Sequence, residues 1–188
     1  MKRVLLYSGG MDSWLIDKLW KPDIKLYVNF HTKASFQEMS RLPKDVIKLD
    51  FDLSEFERKN FFLPYRNLLL ITIAANYGDV ICLGSVASDV HLDNSDEFIF
   101  KINELINFLS SEEEGNNKKI ISLYSHFTKE ELLYNYVLEG GDIDLAEREC
   151  FSCYKPENDN HCHKCKSCNQ KFEAFKTVRE WIKNGGIK

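Results

Sequence analysis

The sequence predicts a doubly wound α/β fold of Rossmann-like type with a mostly parallel, five-stranded sheet, and three observations carry that expectation. Five short apolar runs recur along the first two-thirds of the chain, helical patterns separate them, and a glycine-rich turn joins the first run to the first helical pattern. The runs are Val4–Tyr7, Lys25–Phe30, Val46–Leu49, Val80–Leu83 and Ile120–Tyr124, rich in Val, Ile and Leu. Near-continuous apolar runs are what strands buried on both faces require, and strands separated by helices imply right-handed crossovers.

The helical patterns cover Met11–Trp20, a weaker Ala34–Arg41, Pro64–Tyr77 and Glu97–Leu109. Pro64 suits the first turn of its helix and Gly78 the residue just past the end. Thr128 and Glu131 have capping-box spacing ahead of a helix running to Glu139, with Gly140-Gly141 as its stop. Ser110–Lys119, with three consecutive glutamates and two asparagines, reads as a mobile surface loop. After Gly141 the strand signals end. A short helix, the segment Cys150–Cys168 and a last helix from about Asn169 to Lys183 follow, with Phe172, Phe175 and Trp181 expected in the core. The chain thus divides into an α/β domain over 1–141 and a helical, cysteine-rich segment over 142–188 packed on it.

Composition sets outer limits. The 188 residues suffice for one hydrophobic core, and 44% apolar residues is ordinary for a soluble protein. A net charge of -4 lacks the basic footprint of a nucleic-acid binder, though it leaves a nucleotide or nucleobase ligand open. Val4–Tyr7 is too short for a signal sequence, and no run approaches the roughly 18 apolar residues that span a membrane. The expected compartment is the cytoplasm, where thiols stay reduced and clustered cysteines serve as metal ligands. The oligomeric state is not set by the sequence, and a homodimer is left open.

Two segments carry chemistry. Ser8-Gly9-Gly10-Met11-Asp12-Ser13 follows the first strand and opens the first helix. Glycines let the backbone approach an anion closely, and amides at a helix start face it with the positive end of the dipole. Ser8 and Ser13 add hydroxyls, while Asp12 acts through magnesium or caps the helix amides. The alternative is an ordinary strand-to-helix turn. The segment is neither GxGxxG nor GxxxxGK[ST], so the dinucleotide and Walker fingerprints do not apply.

Five of the six cysteines fall between Cys150 and Cys168, and Cys153, Cys162, Cys165 and Cys168 form C-x8-C-x2-C-x2-C. That spacing brings four thiolates to one metal, zinc by preference, with an iron–sulfur cluster as the main rival and free or redox thiols as the remaining reading. Four ligands close the shell, so the metal is expected to be structural. Cys150 competes with Cys153 for the first place in the set, and His161 and His163, which flank Cys162, read as surface or outer groups. Cys82, in an apolar strand, reads as a core thiol.

YSGGMDS after an N-terminal strand resembles the PP-loop of the ATP pyrophosphatase superfamily, in which SGGxDS binds the ATP phosphates. SCYKPENDNHCHKCKSCNQKFEAF is similar to the C-terminal zinc segment of the 7-cyano-7-deazaguanine synthase family. FLPYRNLLLITIAANYGDVICLGSVASD between them resembles that family's PGRN helix and following strand. Three motifs in the same order cover most of the chain. The resemblance implies an adenine nucleotide alpha hydrolase type of fold and an ATP- and magnesium-dependent carbon–nitrogen ligase. It would activate the carboxylate of 7-carboxy-7-deazaguanine, form the amide with ammonia, and dehydrate it to the nitrile of queuosine biosynthesis.

By the same resemblance, Ser8, Gly9, Gly10, Met11, Asp12 and Ser13 hold the nucleotide, together with Arg66, Asn67 and Gly84. Asp12, Arg66, Asp89 and Asp93 carry catalysis, and Cys153, Cys162, Cys165 and Cys168 hold zinc. Gly84 and Asp89 lie just past a strand's carboxyl end, where open α/β sheets place ligands.

The chain departs from the family in its substrate segment. Where the family resembles SGYPDCR followed by EF, this chain reads DVHLDNSDEF, so Asn94 stands for the cysteine and Ser95 for the arginine. A lost arginine removes a bidentate partner for a carboxylate. The family's YGQxH segment is reduced to VNFHTKASFQE, where His31 and Lys33 are the remaining candidates. Two alternatives therefore stand beside the ligase: another adenylating PP-loop enzyme, acting for instance on a tRNA base, and an ATP-binding interaction protein with little catalysis.

Overall fold

A computed structural model describes residues 1–59, 62–88, 91–111, 117–153 and 160–186. Strands β1 (Arg3–Leu6), β2 (Ile24–Asn29), β3 (Val46–Asp50), β4 (Val80–Cys82) and β5 (Lys119–Ile121) form one sheet in the order β3-β2-β1-β4-β5. Every neighbouring pair is parallel, so the expected doubly wound fold is present. The helices are α1 (Met11–Trp20), α2 (Lys33–Met39), α3 (Arg66–Ala74), α4 (Asp96–Ser110), α5 (Lys129–Leu138), α6 (Ile143–Glu149) and α7 (Lys166–Lys183). None of the described helices is long and apolar enough to cross a membrane.

The apolar runs feed two cores on opposite faces of the sheet. Val4, Leu26, Val28 and Ile81 enter one core with Ile71 and Ala74 of α3 and Ile102 and Ile106 of α4. Leu5, Tyr27 and Cys82, one position along, enter the other with Leu15 and Ile16 of α1, Leu132 and Leu133 of α5, and Phe175 of α7. Alternation of side chains along a strand is what sends neighbours to opposite faces. Each such aliphatic side chain contributes about 1.5–3 kcal/mol when withdrawn from water. Burial also pushes the Cys82 thiol up to about 12, in keeping with a core thiol.

Element boundaries shift for physical reasons. The α3 helix starts at Arg66 rather than Pro64, because Tyr65 adopts a left-handed φ of 59° that no helix interior accepts, and Pro64 lies in the turn before it. Gly78 is not a left-handed cap. A Cβ there would lie 2.6 Å from Val4 Cγ2 and 2.7 Å from the Lys2 carbonyl oxygen, so glycine is needed where the chain passes over β1. The capping box of α5 is formed: Thr128 N–H donates to Glu131 at 2.8 Å, and Glu131 N–H donates back to Thr128 Oγ1 at 3.2 Å.

The last helix starts at Lys166, with Cys165 as its N-cap, earlier than the apolar pattern indicates. Its buried stripe is Cys168, Lys171, Ala174, Phe175 and Val178. Trp181 packs edge-on against Tyr134 at 5.6 Å, but Phe172 falls beside the stripe and is 59% exposed, so it is not a core residue.

Replacing Gly78 by alanine forces a methyl group into the β1 backbone. The variant is expected to lose about 1–3 kcal/mol in urea denaturation, and unchanged stability would show that the Lys2–Val4 segment gives way freely.

Candidate functional site

Strand order reverses between β1 and β4, since the chain runs outward through β2 and β3 and then returns to the other side of β1. At such a switch point the loops leave in opposite directions and a crevice opens at the carboxyl ends of the strands. A cleft of about 380 Å³ lies there, large enough for a nucleotide-sized molecule. Its lining includes the first turns of four helices, α1 at Met11 and Asp12, α3 at Arg66 and Asn67, α5 at Lys129 and α7 at Ser167.

The turn after β1 is held by its own serines. Gly9 takes a φ of 77°, which a side chain would oppose. The Ser8 amide donates to Ser13 Oγ at 3.2 Å, the Gly10 amide to Ser8 Oγ at 3.3 Å, and Ser13 Oγ donates to the Gly10 carbonyl at 3.2 Å. The Met11 amide donates to Ser152 Oγ at 3.1 Å. Three loop amides expected to face an anion are thus occupied by serine hydroxyls, which fixes the turn and leaves hydroxyl groups at the cleft.

Asp12 projects into the cleft and its carboxylate pairs with the ammonium of Lys129. Both side chains are mostly buried, at 19% and 14% exposure, where an ion pair is weakly screened. Lys129 and Arg66 are each the first residue of a helix, a position where the dipole disfavours cations. Two cations, Arg66 and Lys129, thus stand at helix starts beside a third helix start at Met11, with the carboxylates of Asp12 and Glu38 in the same cleft lining.

The other predicted residues divide. Ser8, Gly10, Met11, Asp12, Ser13, Arg66, Asn67, Gly84, Asp93 and Cys153 all line the cleft. Asn67 Nδ2 donates to the Asp93 carbonyl at 3.1 Å and to the Asn94 side chain, tying α3 to the 3₁₀ turn Leu92–Asn94. Ser95 caps α4, accepting from Phe98 N–H at 3.2 Å, so the residue at the family's arginine position has a structural role. Asp89 lies outside the described residues. His31 is outside the cleft lining, with its Nε2 2.7 Å from Asp50 Oδ1, and Lys33 is also outside it, its amide donating to Glu57.

Four residues that the sequence reading missed also border the cleft. Lys129 was legible as a cation at a helix start, and Lys171 as a lysine within the apolar stripe of α7. Ser152 sits beside a predicted metal ligand, but no spacing rule signals its contact with Met11. Glu38 of α2 is legible only in three dimensions. Burial pushes its carboxyl above the usual glutamate range, against the opposing pull of the Arg66 cation and the Tyr27 hydroxyl.

The sulfur atoms of Cys153, Cys162, Cys165 and Cys168 all lie within 4.8 Å of one another, so the chain gathers four thiols as a candidate metal site. Backbone amides of Lys164 and Cys165 push the Cys162 thiol down to about 6, while burial and the neighbouring thiols push Cys168 up to about 12. A bound cation is the charge that lets all four ionise together. Cys150 does not belong to this set. It lies in the larger core, and burial pushes its thiol up to about 11.

A doubly wound parallel sheet with a serine- and glycine-rich turn after its first strand, opening on a crevice rimmed by helix starts, fits an α/β protein of the PP-loop type. Residues 20–179 match the family described as queuosine biosynthesis protein QueC, and the chain belongs to that family. The match begins at residue 20, so the turn at Ser8–Ser13 rests on its own geometry.

The chain is similar to the 7-cyano-7-deazaguanine synthase of Methanospirillum hungatei, 26% identical over 95% of this chain and 96% of that protein. The protein of the same name from a Nitratiruptor species is 25% identical over 93% and 94% of the two chains. For that from Methanosphaera stadtmanae, identity is 28% over 71% of this chain and 58% of the relative. Among solved structures, the U34-tRNA thiolase NcsA of Methanococcus maripaludis with its [4Fe-4S] cluster matches with a TM-score of 0.42 and 16% identity, over 98% of this chain and 67% of that one.

Cys165→Ser is expected to lower both the metal bound per chain and the thermal midpoint; a fully metallated, equally stable variant would remove Cys165 from the ligand set. For Glu38 the sign follows from its raised pKa: the native state holds the proton more tightly than the unfolded chain, whose value is near 4.5. The buried carboxylate therefore opposes folding at neutral pH, and that opposition fades as pH falls below the unfolded value. Glu38→Gln should accordingly be more stable than the parent at about pH 8 and no different at about pH 3, as read by chemical denaturation. Lower stability at the higher pH would mean that the Arg66 cation outweighs burial.

Proposed function

We infer that this protein is an ATP-dependent carbon–nitrogen ligase that activates the carboxylate of 7-carboxy-7-deazaguanine and combines it with ammonia, giving the amide or, after a second activation, 7-cyano-7-deazaguanine. The observation that carries this reading is the cleft where four helix starts meet, two of them at Arg66 and Lys129, on a chain of the QueC family. The relatives that span nearly the whole chain bear the name of that synthase.

The chemistry needs what such a cleft offers. A carboxylate is a poor electrophile until one of its oxygens is made a leaving group, and ATP supplies that group. Ammonia then adds to the carbonyl carbon and the activated oxygen departs, leaving the amide. A second activation at the amide oxygen allows its loss, with the two nitrogen-bound protons, to form the nitrile.

In this reading Ser8, Gly9, Gly10, Met11 and Ser13 seat the phosphates, with Gly84 leaving room at the end of β4. Asp12 would hold magnesium, and Lys129 beside it would neutralise phosphate charge. Arg66 would stabilise negative charge developing between phosphate and carboxylate, because phosphoryl and adenylyl transfer depend mainly on positioning and charge. Asn67, Asp93 and Asn94 would form the base-recognition wall, and Asp89 is assigned to catalysis from the motif alone. Zinc is proposed for the four thiols. Their mutual closeness suits a single tetrahedral ion, whereas the ligands of a four-iron cluster each bind a different iron and stand further apart.

A second reading, an ATP-binding protein with little catalysis, is favoured by one feature: Ser95, where the family has an arginine, is engaged as the cap of α4. Mass spectrometry of the protein with ATP, magnesium, ammonium and 7-carboxy-7-deazaguanine separates the two. The expected result is amide or nitrile with matching ATP consumption, abolished in Asp12→Ala while bound metal is unchanged. ATP consumption only with another acceptor would move the substrate, and no turnover with any acceptor would leave the binding reading. Full turnover by Asp12→Ala would sink the assignment of the phosphate loop.

A further inference from the structure

One short stretch of chain, Cys150–Cys153, belongs to both the cleft and the metal centre. Cys153 supplies one of the four sulfurs. Immediately before it, Ser152 Oγ accepts the Met11 amide at 3.1 Å, and the Phe151 amide donates to the Gly9 carbonyl at 3.2 Å. Gly9 is the positive-φ residue of the phosphate turn and Met11 the first residue of α1. Met11 and Ser152 are 141 positions apart, so chain connectivity does nothing to hold them together. Between the end of α6 at Glu149 and the start of α7 at Lys166, the described residues form no helix or strand that could hold this stretch in place.

Cys150 is anchored in the larger core, and the residues after it are held in large part from the metal side. The Phe151 ring is flanked by the Arg41 guanidinium at 3.8 Å and the His161 imidazole at 4.4 Å. His161 precedes the ligand Cys162, its Nδ1 lies 3.5 Å from Cys168 Sγ, and its Nε2 lies 3.3 Å from the Lys171 ammonium. Lys171 is 7% exposed and also donates to the carbonyls of Glu147 at 2.7 Å and Cys150 at 2.6 Å. An ammonium has three protons and no lone pair, so its third proton goes to Nε2. The ring proton then sits on Nδ1 and donates to the Cys168 sulfur, an outer-sphere hydrogen bond of the kind that orients metal ligands. An unbroken set of contacts therefore runs from the thiols through His161 and Phe151 to the phosphate turn.

We propose that the metal centre positions the nucleotide loop. Metal fixes Cys153 and Cys162, and through them Ser152 and Phe151 clasp Met11 and Gly9 in the conformation that receives phosphate. Ser152 is a positioning residue, not a reacting one, and the metal is one half of the nucleotide site as well as a staple for the C-terminal segment. The inference rests on the reading of Ser8–Ser13 as a phosphate loop, but the clasp can be tested without nucleotide.

The first experiment compares amide hydrogen exchange at residues 9–13 in metal-loaded and chelator-treated protein. Exchange there should quicken at least about tenfold without metal, and unchanged protection would overturn the clasp. Should chelation unfold the whole chain, as seen by circular dichroism, Ser152→Ala decides, because it removes only a hydroxyl. That variant should keep its full metal content and weaken binding of adenylyl imidodiphosphate with magnesium about tenfold by calorimetry. Unchanged affinity would overturn the proposal.

Linkage supplies a readout that a merely structural serine would not move. The nucleotide analogue should slow zinc transfer to a competing chelator in the parent protein and fail to do so in Ser152→Ala; equal slowing in both would count against the clasp. If the parent protein binds no analogue, the phosphate-loop reading fails, while the exchange experiment still judges the clasp.

Discussion

The structure depends on one constraint, the burial of β1 on both faces. Its side chains alternate between two cores, Val4 to one and Leu5 to the other, and its neighbours β2 and β4 repeat the alternation. A central strand so enclosed can end only at the sheet's edge, and the chain must turn there to start α1. That turn is where Ser8–Ser13 lies, beside the end of β4, because the strand order reverses at β1. The position of the cleft therefore follows from hydrophobic burial before any polar contact is counted. Gly78 shows how tight the arrangement is, since a single methyl group there has no room against Lys2 and Val4.

Polar chemistry is then laid over this frame against local preference. Arg66 and Lys129 stand at helix starts, where the peptide dipoles disfavour them, and Asp12 is drawn into a mostly buried pair with Lys129. Glu38 is half-buried near Arg66, with its carboxyl pushed above its usual range by desolvation. Departures from local stability gathered in one crevice are what single it out as the candidate site. The substrate segment tells the opposite story. Ser95 obeys the local rules as a helix cap, and the polar groups that line that side of the cleft are Asn67, Asp93 and Asn94.

The metal centre adds order where secondary structure gives none. Cys153, Cys162 and Cys165 lie in a segment without helix or strand among its described residues, Cys168 lies in the first turn of α7, and the neighbours Phe151 and Ser152 are fastened to the turn after β1. A lysine in the apolar stripe of α7 would be costly if unpaired. Lys171 is instead saturated by two carbonyls and an imidazole, which fits α7 to the metal segment.

Much of this was legible in the sequence. Near-continuous short apolar runs, a capping box at Thr128 and Glu131, and paired cysteine spacings are local patterns, set by the geometry of a strand, a helix start or a metal shell within a few residues. The sequence by itself thus determined the parallel sheet, the turn at Ser8–Ser13 and the four gathered thiols. What it could not determine were meetings between distant residues: Lys129 with Asp12, Ser152 with Met11, Glu38 with Arg66, and the left-handed Tyr65 that delays α3 past Pro64. Those depend on how helices pack over the sheet, and packing is decided by the sum of many weak contacts across the whole core, which no local pattern encodes.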